Sequence, residues 1–302
     1  MTTTTHSSTF IAYGALTTAA IVWGGSVVAQ KISLNGFSPV EVSVLRGIGA
    51  LTILITIWKW QEGRIAVSLP DLGILTLLGL GVLGNHLFIL YGLQYIGSGA
   101  AGIIIGSSPA ITALLSSLLI HDLPFRAVWF GCAVSFIGVA LVSEFGGDPT
   151  VGTHPWLGGT LIILGLISWA LYTIGSRRVM ERFSALTVNW TTLGISILLQ
   201  IPLLWINQKM LAQGLATVSA TDWIALAYLI VFATAIGQQA WLFGVERVGP
   251  SRAGIFGNLI PVSALLFSYL ILGEPIGIWK ILGIALILLG VWLVTRPSVS
   301  VS

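Results

Sequence analysis

Apolar stretches of roughly 18 to 22 residues, the length that crosses a hydrocarbon core as a helix, alternate along the chain with short polar breaks. They fall near 10–29, 39–58, 72–93, 98–119, 125–143, 156–176, 185–206, 221–243, 251–271 and 277–295. The pattern predicts an all-α membrane protein with ten transmembrane helices. The longest breaks, near 143–155 and 207–220, hold Gly-Gly-Asp-Pro and Gln-Lys turn chemistry, too little for a folded domain. The first stretch lacks Lys or Arg ahead of it and is too long for a typical leader core, so it reads as a span despite a cleavage-like Val27-Val28-Ala29.

The pattern repeats. Tyr91-Gly92 returns 152 positions later as Phe243-Gly244, Gly97 as Gly249, Gly102 as Gly254 and Pro109 as Pro261. The same offset carries Gly131 onto Gly283 and Gly138 onto Gly290. Glycine and proline constrain the backbone itself, so a constant register points to one unit built twice, over residues 10–145 and 156–296. A duplicated unit with a proline-broken helix in each copy is the pattern of a secondary transporter.

Composition narrows the picture. The chain of 302 residues is 56% hydrophobic and 8% charged, with mean hydropathy +0.98, where soluble domains carry about 25% charged residues. So few charges cannot build a water-facing surface, and the lipid bilayer becomes the expected partner. A net charge of +3, spread along the chain, does not suggest nucleic acid. Cys132, the single cysteine, excludes an intrachain disulfide and a cysteine metal cluster. No cofactor is implied.

Orientation follows from the basic residues. With a cytoplasmic N-terminus, nine of them, including Arg177, Arg178 and Arg182, fall in inner loops. Three, Lys31, Lys209 and Lys280, fall outside. This positive-inside bias predicts that both termini face the cytoplasm of a cell (inner) membrane protein. Five spans per half then make the two halves an inverted repeat, with the site expected between them near the midplane.

Several residues sit too deep for a bland explanation. Pro109 and Pro261 fall on the order of 16 Å into their helices, where the missing N–H frees the carbonyls of Ile105 and Gly257. Such breaks suit a static kink, or a hinge beside a cavity. The glycines of the third, fourth and ninth spans, such as Gly79, Gly84 and Gly254, read first as close helix packing. Asn85 and His86 on the third span match Gln238 and Gln239 on the eighth, while Asn258 lies one turn before Pro261. Each can bind a zwitterion or glue helices together. Trp23 and Trp169 lie inside their spans, whereas Trp58, Trp60, Trp156, Trp223 and Trp279 suit the membrane interface. Glu41 and Arg46 are the main intramembrane charges, and Arg46 can snorkel or pair with a neighbouring helix. The expected cavity is lined by Trp23, His86, Tyr91, Trp169, Tyr172, Gln238 and Asn258 and takes a small-molecule substrate.

Together these features resemble the drug/metabolite transporter superfamily, EamA family. The matching residues are Trp23-Gly24 and Trp169-Ala170, Pro39 to Arg46, and the Gly-Ala-Ala-Gly…Pro109 and Ser-Arg-Ala-Gly…Pro261 helices. Gly273-Glu274-Pro275 matches the turn before the last helix; His121-Asp122-Leu123-Pro124 matches it less regularly. The resemblance covers about residues 10 to 296 and is similar in kind to YddG-type exporters of aromatic and other neutral amino acids. It implies export by alternating access. The first span lacks the glutamate that couples protons in small multidrug members, so a facilitator is the simpler reading. His86 is the only deep group that titrates near neutral pH, which keeps proton coupling as an alternative.

A nucleotide-sugar or drug carrier is the other alternative, and it calls for several cavity cations to meet phosphate. A membrane-embedded enzyme is remote: the chain lacks Gly-x-Ser-x-Gly, His-Glu-x-x-His and any aspartate cluster. Monomer and homodimer are equally compatible with the sequence.

Overall fold

Helices begin where the sequence offers caps. Ser38, Ser184 and Ser219 each accept a bond from the backbone N–H three residues on. Glu41 and Asp222 reach back to close capping boxes, and Ser68 with Asp71 makes the same reciprocal pair. Glu41 is therefore a buried capping group at the start of its helix.

The computed structural model describes residues 3–64, 68–92, 94–95, 104–105, 107–120, 126–144, 154–205, 214, 218–267, 269–270 and 277–295. They form α1 (Thr3–Ser33), α2 (Pro39–Gln61), α3 (Leu69–Gly92), α4 (Ser108–Ile120), α5 (Arg126–Glu144) and α6 (Pro155–Val179). There follow α7 (Ala185–Leu204), α8 (Ala220–Val248), α9 (residues 250–267) and α10 (Ile278–Thr295). No strand occurs among the described residues. Six stretches, in α1, α2, α3, α6, α7 and α8, are long and apolar enough to cross a membrane, and shorter apolar helices lie in α4, α5 and α10. The glycines at 97, 99, 102 and 106, and the turns at 121–124 and 273–275, lie outside the described residues.

Large apolar side chains cover the outside of the molecule, among them Leu77, Leu118, Phe130, Leu198 and Ile224. A soluble monomer rarely exposes so continuous an apolar surface, and lipid satisfies it. Trp60, Trp156, Trp223 and Trp279 are exposed, as interface anchors require. Trp58 departs from that expectation. It is buried and stacks on Trp190 of α7 with ring centroids 5.2 Å apart, so it ties α2 to α7.

Two helices depart from simple α geometry. Residues Leu229–Gly237 of α8 form a π-helix. Before it, the caps Ser68 and Ser219 are 151 positions apart; after it, Tyr91 and Phe243 are 152 apart. A π-bulge holds one extra residue, which accounts for that change of register. In α9, helix Pro250–Ile255 gives way to a 3₁₀ turn at Phe256–Asn258 before Leu259–Phe267 resumes. Pro261 thus follows a real break. Pro109, the second residue of α4, likewise follows a turn, in which Ser107 N–H donates to the Ile104 carbonyl at 3.0 Å after the helical residues 104–105; most of the stretch expected before it lies outside the described residues. Gly249, at φ 84°, makes the corner between α8 and α9 that an L side chain disfavours.

The glycine face of α3 packs as expected, whereas Gly254 and Gly257 of α9 line a cavity and Gly257 has no neighbour at its Cβ position. Gly79 lies on Ile195 and Thr192 of α7, and Gly81 and Gly84 lie on Ser168 and Tyr172 of α6. The α5–α10 contact is reciprocal. A Cβ on Gly138 would lie 2.5 Å from the Gly283 carbonyl oxygen, and one on Gly290 would lie 2.5 Å from that of Gly131. At its centre the Ser135 hydroxyl donates to the Ile287 carbonyl at 3.3 Å, across 152 positions. Repeat-related residues exchanging partners in this way define a local two-fold contact.

Candidate functional site

α1, α6 and α8 each bring one tryptophan to a common point. Trp23 lies 5.5 Å from Trp169 and 5.2 Å from Trp241 between ring centroids, and Trp169 lies 5.9 Å from Trp241. These edge and tilted geometries suit aromatic quadrupoles. Two of the polar edges are fixed: Trp23 Nε1–H donates to the Ala233 carbonyl at 2.9 Å, and Trp241 Nε1–H to the Thr173 hydroxyl at 3.3 Å. Ala233 belongs to the π segment, whose altered ladder leaves carbonyls available to side chains of other helices.

The trio forms one wall of a cavity of about 220 Å³. Lining it as well are Ser26 and Gln30 of α1, Arg46 of α2 and His86 of α3. Thr234 and Gln238 of α8, with Gly254 and Gly257 of α9, extend the lining. An Arg46 terminal nitrogen meets His86 Nε2 at 2.6 Å. A guanidinium only donates, so Nε2 accepts and the imidazole is neutral with its proton on Nδ1. Arg46 therefore pairs with a neighbouring helix rather than snorkelling. Among the described residues, ion pairs form between Arg182 and Asp71 and between Arg247 and Glu246, not at Arg46.

Of the expected site residues, Trp23, His86, Trp169 and Gln238 meet at this cavity. Tyr172 lies just behind it, fully buried, with its ring 5.2 Å from Trp169 and its oxygen accepting from Gln238 Nε2 at 3.1 Å. Asn258 is 1% exposed and sits in the α9 break with neither amide atom bonded. Tyr91, half-buried at the end of α3, is not among the lining residues. Asn85 both lines the cavity and ties helices, its Nδ2 donating to the Gly165 carbonyl at 3.1 Å, while Asn189 Nδ2 donates to Gln239 at 3.0 Å. Sequence reasoning left Arg46 and Thr234 out of the site. Arg46 carried a signal, as the one basic residue well inside a predicted span. Thr234 carried only the one-residue register change that marks the π segment.

A multi-pass helical membrane protein with a polar and aromatic cavity between its helices has the build of a membrane transporter. The chain belongs to the EamA-like transporter family, whose pattern matches residues 10–144 and 156–296. It is 30% identical over 280 residues to the uncharacterised transporter YyaM of Bacillus subtilis, covering 90% of this chain and 89% of that protein. It is 24% identical to a probable terminal-alkyne amino-acid exporter of Streptantibioticus cattleyicolor, over 94% of this chain and 93% of that one. A solved crystal structure shares the fold with a TM-score of 0.79 at 20% identity, over 96% of this chain and 98% of its own.

Proposed function

We propose that this transporter exports small solutes, aromatic and other neutral amino acids first among them, by alternating access as a facilitator. Ten spans in two inverted five-helix halves, residues 10–145 and 156–296, carry the site between them, and both termini face the cytoplasm of the inner membrane. The observation that carries the reading is the cavity between the tryptophan trio and the Arg46–His86 and Gln238 groups, which pairs an aromatic wall with a polar end. Its volume of about 220 Å³ is below the 300–1,000 Å³ usual for drug-sized ligands and suits a smaller solute. The reciprocal α5–α10 contact supports the inverted halves. One relative described as a probable amino-acid exporter supports the substrate class.

A nucleotide-sugar carrier would need several cations to meet phosphate, and Arg46 is the one Lys or Arg among the cavity's lining residues. Facilitation is favoured over proton coupling because His86 spends its basic nitrogen on Arg46. Proteoliposome counterflow against amino acids, nucleotides and cationic drugs tests the reading. Exchange of aromatic amino acids without a pH gradient is expected; exchange of nucleotides alone, or accumulation driven only by a pH gradient, would overturn it.

A further inference from the structure

The two halves, matched by their shared landmarks, differ around the cavity. Trp23 and Trp169, and the caps Ser38 and Ser184, are 146 positions apart; Tyr91 and Phe243 are 152 apart. On these registers Ser26 corresponds to Tyr172, Arg46 to Thr192 and His86 to Gln238. In the second half this set is neutral, and only Gln238 of it reaches the cavity. The Tyr172 ring is fully buried and its oxygen accepts from Gln238, while the Thr192 hydroxyl donates to the Val188 carbonyl of its own helix at 2.8 Å. In the first half Ser26 stands where a phenol would lie. Its hydroxyl turns back to the Trp23 carbonyl at 2.7 Å, and the space left over is part of the cavity, with Arg46 and His86 beside it.

Arg46 is incompletely satisfied there. One terminal nitrogen meets His86, and Nε lies buried without a partner. No carboxylate among the described residues pairs with it, and Glu41 on the same helix bonds the Ser38 N–H at 2.7 Å. A buried cation lacking its anion is costly, and a guanidinium edge with free N–H groups fits one carboxylate in a two-bond fork.

We propose that Arg46, held by His86, is the carboxylate-reading group of the cavity, and that the substrate's apolar body takes the space Tyr172 fills in the other half. The inference rests on the transporter reading and adds the chemical class: a monocarboxylate with an apolar or aromatic body.

The test uses solutes sharing one body: phenylalanine, phenylalaninamide, phenethylamine and phenylacetate, competing in counterflow on the full chain in proteoliposomes. The acids are expected to compete at least about tenfold better than the amide and the amine, the scale of a charge-assisted pair. In Arg46→Gln that preference falls below about threefold, while Arg46→Lys, which keeps the charge, retains its sign. Should Arg46→Gln fail to fold, thermal unfolding of the unaltered protein with each solute gives the same comparison, since ligands stabilise in proportion to affinity. Equal competition by the amide and the amine, or an acid preference surviving in Arg46→Gln, overturns the proposal and leaves the transporter reading in place. Phenylacetate competing without phenylalanine supports Arg46 and removes the amino-acid reading. Silence of the whole panel overturns both.

Discussion

At the residue scale, the site is a contest between side chains that face the cavity and side chains that close the space between helices. Trp169 belongs to both sets, since it lines the cavity and packs on Trp23, Trp241 and Tyr172. Trp169→Ala should therefore weaken substrate binding by about 1–3 kcal/mol, the scale of a lost buried aromatic contact. Calorimetric titration of purified protein with the transported solute measures it, and unchanged affinity would remove the aromatic wall from the site. Ser26→Tyr makes the complementary change by giving the first half the side chain of the second. The protein should keep its unfolding temperature within a few degrees, because the ring enters existing space, while transport falls at least about tenfold as the cavity fills. Full transport by that variant would place the substrate elsewhere.

At the scale of elements, the breaks in α8 and α9 set the shape of the cavity. The π segment Leu229–Gly237 turns Ala233 and Thr234 into lining groups, and Thr234 returns its hydroxyl to the Leu229 carbonyl at 2.8 Å, five residues back. The two prolines, symmetric in sequence, each follow a break in their helix. Pro261→Ala restores an N–H just after the 3₁₀ turn and should stiffen α9, slowing exchange more than it weakens binding. Pro109→Ala makes the same change just after the turn at Ser107 and should act in the same direction. Exchange rates and binding constants measured side by side read the effect, and unchanged turnover in both variants would leave the prolines as packing features.

At the scale of the whole molecule, the reciprocal α5–α10 contact joins two helices far apart in sequence through glycine. Gly290→Val would drive a side chain into Ser135 and the Gly131 carbonyl and should destabilise the protein by about 1–3 kcal/mol, the range for overpacking. Thermal unfolding in detergent reads the loss, and an unchanged transition would mean that the two helices separate easily. The inverted arrangement has its own check. Single cysteines in the loops at 29–38 and 143–155 should react with impermeant reagent from outside, and those at 177–184 from inside. Outside labelling at 177–184 would reverse the orientation.

The sequence by itself determined where helices begin and run and the 152-position recurrence of glycine and proline, because apolar length, caps, glycine and proline act locally or recur at fixed intervals. It placed Trp23 and Trp169 inside their spans, and it placed the glycine faces that pack α3 on α6 and α7. Only the tertiary structure decided which polar groups share a cavity. Asn85 and His86 are adjacent on one helix and both line the cavity, yet Asn85 ties α3 to α6 while His86 meets Arg46 from α2. Helical periodicity assigns each residue to a face, but the neighbour that face meets lies 40 to 210 positions away, as the Arg46–His86 and Trp23–Ala233 contacts do. Helix rotation and crossing set those encounters, and both depend on packing summed over the whole molecule.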